Sequence, residues 1–485
     1  MSSGRTILRN FAALSGAQMI SMAAGLISTV VLARALGPET YGILGFGVAF
    51  ISYFSIFVNM GVDTYAMREV ARDRGTISDT VGTVLPLRAG LALFLFGLLY
   101  LVTTNLEQSD RVKTVLLIQG AGLFATAISV DFVFQGVQRM GVIGLRQALA
   151  SIASVIAVVA LVRAPADLFA AAAIPIIVNL VSGAALIAVL VYVWGIPRLL
   201  VAPRQWWAYL TNSFPVAITI LMTTVIINMD IVILGFLRSE QEVGLYVAAS
   251  RVLIVALVFG NMVHNAFFPA LVTVRDNVET AEQMAKDHAK AVMFVGAPIG
   301  AFGIAFAEPI VTLLFGPEYL GSAFVLILLM ANLLIVHVTI AHGTPLLAWK
   351  CDKAYAWIVA VGATGNILLN LLLIPPYGIT GAAVATIISQ SFILLGLATV
   401  MFVQFRIHTW PILAKSLIAT VTTIGPVWYS VSQIGMEPVA SLLFGGVVFS
   451  LAYLMVGHWI GAFDFRIVVS FLGGKLGQAA HPTRK

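Results

Sequence analysis

Residues Leu32 to Arg74 read LARALGPETYGILGFGVAFISYFSIFVNMGVDTYAMREVARDR. An apolar run reaches Ala33. A short turn with Arg34, Gly37, Pro38 and Glu39 follows, then a second apolar run from Tyr41 to Val62. That run ends in a basic segment carrying Arg68, Arg72 and Arg74. A helix needs about 20 apolar residues to cross the hydrocarbon core of a bilayer, and each run supplies that length. The unit is therefore span, tight turn, span, arginine-rich segment, and most of the chain repeats it.

Composition carries this reading across the whole chain. Of 485 residues, 60% are hydrophobic and 10% are charged, with mean hydropathy +1.01. A soluble domain carries about 25% charged residues, so this chain cannot cover itself for water. In lipid every backbone polar group must be paired within its own segment, which leaves helices as the spanning form here. The sequence predicts an all-α integral membrane protein with about fourteen transmembrane helices. The first two are expected at 10–33 and 41–62, the fourth at 113–134, the seventh and eighth at 211–236 and 244–268, the eleventh and twelfth at 355–374 and 380–403, and the last at 438–460. The opening run, Phe11 to Leu32, is longer than a signal-peptide core of about 7–15 residues, so an uncleaved first span is expected. Pro86, Pro175, Pro215, Pro298 and Pro426 fall within spans and predict kinks.

The net charge of +6 follows from orientation and does not require nucleic acid. With the N-terminus inside, most of the 27 Lys and Arg residues fall on inner segments. Only Arg34, Arg111, Lys113, Arg163 and Arg238 fall on outer turns. This is the bias of cytoplasmic loops, and an even span count places both termini in the cytoplasm. One cysteine, Cys351, excludes a disulfide framework and a cysteine-metal motif. His337 and His342 lie about 140° apart around a helix of ~3.6 residues per turn, so they share no face and match no zinc motif. The chain has no phosphate loop, dinucleotide fingerprint or nucleophile elbow. No cofactor, metal or enzymatic activity is expected. Outer loops are short, which argues against a polysaccharide polymerase or ligase.

The opening turn has a second copy. Residues 229–252 read MDIVILGFLRSEQEVGLYVAASRV. Leu36 and Leu237 each precede a glutamate, Glu39 and Glu240, and a glycine follows, Gly42 and Gly244. The copy lies six spans on, where a doubled six-helix unit would put it. Transporters are often built from such repeats, with the substrate site between them.

Three stretches carry a resemblance: RALGPETYG with GVDTYAMREVAR, then MDIVILGFLRSEQEVGLYVAASRV, then NLLLIPPYGITGAAVATIISQ at 370–390. Together they resemble the polysaccharide flippases, of O-antigen or exopolysaccharide type, of the multidrug/oligosaccharidyl-lipid/polysaccharide exporter superfamily. The resemblance implies two six-helix lobes in a V, at 1–205 and 206–403, with two added spans and a cytoplasmic tail at 404–485. It implies a bacterial inner-membrane protein that moves undecaprenyl-diphosphate-linked oligosaccharide by alternating access. It implies lipid-linked oligosaccharide and membrane lipid as partners, with polymerase or export components beside them. A peptidoglycan-precursor flippase and a drug or cation antiporter are the alternatives within the superfamily.

An ionisable residue inside a span costs a few kcal/mol and generally faces a protein interior or aqueous path. Arg88, Asp230 and Arg251 are the candidates. Arg88 and Arg251 are expected to meet a diphosphate or an anionic sugar, because a guanidinium fork binds two oxygens and stays charged. Asp230 is expected as the charge partner of Arg251, since both sit about 10 Å below the outer face on adjacent spans. A fixed structural ion pair and a switched one both fit that placement. For Arg88 the alternative is snorkelling to the inner headgroups. Asp63 and Asp131 lie near the same inner end, as partners of Arg88 or as ordinary helix-end residues. Arg34, Glu39 and Glu308 are expected at interfaces. Trp206 and Trp207 are expected as an inner interface anchor.

Overall fold

The computed structural model describes residues 2–275 and 277–463, with side chains from Gly16 onward. The side chains of Arg5 and Arg9, and the tail with Arg466, Lys475, Arg484 and Lys485, lie outside the described residues. Every regular element among the described residues is helical. The chain forms two compact units, Met1–Gly244 and Leu245–Lys485.

The first unit holds α1 (Ser2–Asn59), α2 (Val62–Arg72), α3 (Ile77–Asn105), α4 (Asp110–Gly120), α5 (Gly122–Ala127), α6 (Asp131–Gly136), α7 (Met140–Leu161), α8 (Leu168–Trp194) and α9 (Pro203–Leu237). Its inner core packs Val62, Val70, Val84, Leu87, Phe132 and Leu190 from α2, α3, α6 and α8. The seventh span, α9, lies along α1 and reaches α2 and α3. Phe46 stacks on Phe50 of α1, Phe54 tilts against Phe50, and Phe236 of α9 meets the first two edge-on. The second unit holds most of α10 (Glu240–Thr273), then α11 (Val278–Ala305), α12 (Ala307–Phe315), α13 (Ala323–Ala348), α14 (Asp352–Phe405), α15 (Trp410–Ile434) and α16 (Pro438–Trp459). One of its cores joins α10, α11, α13 and α14 around Phe267, Val292, Trp349 and Leu397. Another joins α11, α15 and α16 around Phe306, Val427 and Phe449.

Twelve helical runs among the described residues are long and apolar enough to cross a membrane. Two of them exceed a single crossing: Gly16–Arg72 has 57 residues and Asp352–Phe405 has 54. At ~1.5 Å per residue each would extend over roughly 80 Å, against a hydrocarbon core of ~30 Å. Both are broken by a glycine outside helical geometry. Gly37 takes φ 72°, ψ 168°, and Gly378 takes φ 56°, ψ −135°. A positive φ is a conformation that glycine adopts without a Cβ clash. These are the expected turns between spans one and two and between spans eleven and twelve. The fourth span is also discontinuous, because Ile128–Val130 separates α5 from α6.

The two turn copies meet. A Cβ on Gly42 would collide with the Glu240 carbonyl and crowd the Gly244 amide. A Cβ on Gly244 would collide with the Pro38 carbonyl. Matching Gly42 to Gly244 pairs Pro38 with Glu240, so each glycine faces the carbonyl four residues before its counterpart. The contact is reciprocal, as in a two-fold interface, and it joins backbone to backbone. Neither carbonyl belongs to a flexible side chain that could yield. Gly42→Ala or Gly244→Ala is therefore expected to lower the thermal unfolding midpoint of the purified protein by several degrees. Gly90→Ala, where a Cβ would have nothing within 4 Å, is expected to raise it slightly, since alanine favours a helix interior over glycine by up to ~1 kcal/mol. Equal midpoints for all three would contradict the close approach.

Candidate functional site

The first unit carries a chain of polar groups on helices long and apolar enough to cross a membrane. Arg88, on α3 two residues after Pro86, has a fully buried side chain. Its Nη2 lies 2.6 Å from Asp63 Oδ1 and donates to Asn59 Oδ1 at 2.6 Å. Its Nη1 donates to the Ser129 carbonyl at 3.2 Å. The guanidinium also lies 5.8 Å from the centre of the Phe132 ring. Its buried Nε has no hydrogen-bond partner among the described residues.

Local geometry explains why these partners converge. Met60 and Gly61 adopt φ 48° and 72°, which turns the chain sharply between α1 and α2. Asn59, the last residue of α1, donates through Nδ2 to Asp63 Oδ2 at 3.0 Å and accepts the Asp63 amide at 3.3 Å. The carboxylate is thereby fixed in the first turn of α2, where the helix dipole favours negative charge. Ser129 sits in the break between α5 and α6, so its carbonyl is outside a regular helical ladder. Broken spans with exposed carbonyls recur at transporter sites.

Beyond Ser129 the chain of contacts continues. Ser129 Oγ donates to Asp131 Oδ2 at 3.3 Å. Arg146 of α7 grips Asp131 with two bonds, Nε to Oδ1 at 3.1 Å and Nη2 to Oδ2 at 2.6 Å. Its Nη1 donates to Ser182 Oγ of α8 at 3.3 Å. Two arginine–aspartate pairs are thus joined through one serine. Exposure divides them: Arg88 has none, Asp63 retains 33%, and Arg146 and Asp131 retain 18% and 20%. Asp63 is the accessible member of its pair and Arg88 lies behind it.

Arg88 therefore does not snorkel, and Asp63 is its partner. Asp131 pairs instead with Arg146. Asp230 is almost fully buried on α9. Close by on the same helix, Asn228 Nδ2 donates to Ser52 Oγ of α1 at 3.3 Å. Asp230 belongs to the first unit and Arg251 to the second. Arg34, Glu39 and Glu308 are exposed. Trp206 donates its indole N–H to the Thr83 carbonyl at 3.1 Å, whereas Trp207 is exposed.

Two further features matter. A cavity of about 220 Å³ lies among α1, α7 and α8, lined by Ser21, Ser28, Ser151, Ser154 and Asn179. In the second unit four histidines are placed within the helices. His337 Nδ1 donates to the Leu333 carbonyl at 2.8 Å, and its ring fills a slot left by Gly260 and Gly296. His342 donates to the Val338 carbonyl at 2.8 Å and accepts from Thr409 Oγ1 at 3.0 Å. His264 bonds Thr344 Oγ1 at 2.7 Å. His288 is fully buried beside Phe267. Among the described residues, no three His, Cys, Asp or Glu side chains are grouped to hold a metal ion.

Removing one member of a buried ion pair strands the other, at a cost of ~3–5 kcal/mol. Water reaching Asp63 moderates this, so Asp63→Ala is expected near the lower end of that range. The double change Asp63→Asn with Arg88→Gln removes both charges and should recover most of the loss. Thermal unfolding in detergent measures both, and a fully stable Asp63→Ala protein would contradict the pairing.

A family model described as polysaccharide biosynthesis protein matches residues 7–275. A probable low-salt glycan biosynthesis flippase of Haloferax volcanii is 27% identical over 245 residues, which is 48% of this chain and 48% of that protein. The chain thus spans about half the length of that relative. A putative O-antigen transporter of Escherichia coli is 22% identical over 368 residues, covering 75% of this chain and 88% of that protein. A solved lipid II flippase in an inward closed conformation superposes with TM-score 0.76 at 15% identity, covering 91% of this chain and 97% of that one. An inward-facing multidrug transporter superposes with TM-score 0.59 at 16% identity, covering 82% and 97%. At these identities the structural likenesses establish the fold.

Proposed function

This chain belongs to the polysaccharide biosynthesis protein family, and on that premise we propose that it moves undecaprenyl-diphosphate-linked oligosaccharide from the inner to the outer leaflet. The relatives are named flippases and transporters, and this multi-pass membrane protein is likewise a transporter and not an enzyme. The observation that carries the substrate reading is the buried Arg88 with its replaceable counter-charge, Asp63. A diphosphate offers what Asp63 offers, a negative oxygen within reach of Arg88 Nη2, with more oxygens and more charge. When it enters, Asp63 yields to water, Arg88 takes the phosphate oxygens, and the head group never crosses hydrocarbon unpaired. An unpaired charge there would be prohibitively costly.

Other parts of the chain suit the rest of the molecule. The hydroxyl-lined cavity among α1, α7 and α8 offers uncharged donors and acceptors to sugar hydroxyls. In the second unit an apolar cavity of about 770 Å³ lies among α10, α11 and α16, lined by Val252, Pro298, Phe302, Leu442 and Gly446. It suits a prenyl chain lying against the last span. Dividing the two long runs at Gly37 and Gly378 yields fourteen crossings, with both termini on the cytoplasmic side of a bacterial inner membrane. Lobes at 1–205 and 206–403, followed by two added spans, then rock in alternating access. Arg251 is the second anion site. A peptidoglycan-precursor flippase is the second reading, favoured by the fit to the lipid II flippase.

Deleting the gene and identifying the lipid-linked glycan held on the inner leaflet tests both readings. A sugar repeat unit on a prenyl diphosphate is expected. Accumulation of a peptidoglycan precursor supports the second reading, and no accumulation with normal surface glycan contradicts both. Arg251→Ala is expected to reduce export at least fivefold at unchanged protein level, and undiminished export would reduce it to a packing residue.

A further inference from the structure

Pro86 leaves a gap in α3, and the chain fills it from outside the helix. In a helix each N–H bonds the carbonyl four residues earlier, and proline has no N–H to give. Pro86 therefore releases the Gly82 carbonyl. That carbonyl accepts the Leu200 N–H at 2.8 Å. Leu200 lies in the segment 195–202 between α8 and α9, which has no regular structure of its own. The segment is not held by its side chains, because Ile196, Leu199 and Val201 are 82%, 66% and 76% exposed. It is held through its backbone.

Gly82 makes the approach possible. A Cβ there would collide with the Arg198 carbonyl. One residue on, the Thr83 carbonyl accepts the Trp206 indole N–H at 3.1 Å, and Thr83 Oγ1 donates to Gln205 Oε1 at 3.0 Å. Four residues, Arg198, Leu200, Gln205 and Trp206, thus seat on one turn of α3. Arg88 is the second residue beyond the proline. Its direction depends on how α3 bends at that turn.

We infer that residues 195–202 form a strap that fills the Pro86 gap in α3 and so positions Arg88 toward Asp63 and substrate. Gly82 and the Leu200 amide are positioning groups in this device, and neither touches substrate. The inference rests on the reading of Arg88 as the diphosphate-binding charge. The strap also links the start of α9 to the turn of α3 that precedes Pro86. A movement of α9 along α1 would therefore reach Arg88 through a backbone hydrogen bond.

Hydrogen exchange and ligand binding on the full chain in nanodiscs test it, with geranylgeranyl diphosphate as the probe. In the wild-type protein the Leu200 amide should exchange at least tenfold more slowly than those of Leu199 and Val201. Gly82→Ala should abolish that protection and raise the Kd for the probe about fivefold, while Gly90→Ala in the same helix changes neither. Leu200→Pro removes the donor N–H itself without altering α3, and should raise the Kd for the probe to the same extent. A Leu200 amide as fast as its neighbours in the wild-type protein would overturn the strap. A released strap with wild-type affinity would overturn its positioning role. Arg88→Gln separates the underlying reading. If it binds the probe as the wild-type protein does, the role of Arg88 fails and the positioning role fails with it, whatever the exchange data show.

Discussion

Arg88 is buried against Asp63, Asn59 and the Ser129 carbonyl, and much of the first unit is arranged around that cation. Arg88 has no exposed side-chain surface, so its counter-charge must be supplied by protein. The requirement fixes several local features together. The turn at Met60 and Gly61 places Asp63 beside α3. Asn59 holds the carboxylate. The break at Ile128–Val130 frees a carbonyl for the second guanidinium nitrogen. Remove any one and the arginine is left partly unsatisfied, in surroundings where that is costly.

The same rule governs the backbone. A carbonyl released by proline inside a span needs a donor from elsewhere in the protein. Leu200 provides one for Gly82. Glycine then decides where segments approach closely enough to make such contacts. Gly42 and Gly244 admit each other's neighbouring carbonyls, Gly82 admits the strap, and Gly260 with Gly296 admits the His337 ring. Tight packing with small residues at the contact is what membrane helices use in place of a hydrophobic driving force. Glycines and prolines thus act here as complementary parts of one architecture.

Spans and hairpins were legible in the sequence because hydrocarbon thickness sets their length and glycine with proline marks their turns. The break in the fourth span was not, since Ile128, Ser129 and Val130 include neither breaker. Asp131 consequently read as a helix-end residue and Arg146 as an inner-loop charge, although the two form a bidentate pair across that break. Arg88 stood out as an arginine within a span, and Asp63 was in view as a partner. Its full burial was not, because burial depends on Phe132 and Ser129 arriving from a distant segment. The strap was hidden for the same reason: Pro86 announces a missing bond and says nothing of the donor that replaces it.

The central claim is that the Arg88–Asp63 charge pair serves transport and not only folding. Proteoliposomes bearing a fluorescent prenyl-diphosphate oligosaccharide test it most directly, by the rate at which label moves between leaflets. The comparison is wild-type protein against the neutral double variant, Asp63→Asn with Arg88→Gln, which keeps shape and removes both charges. The variant should fold and should move label no faster than protein-free liposomes. Label moving at the wild-type rate through a protein without these charges would contradict it.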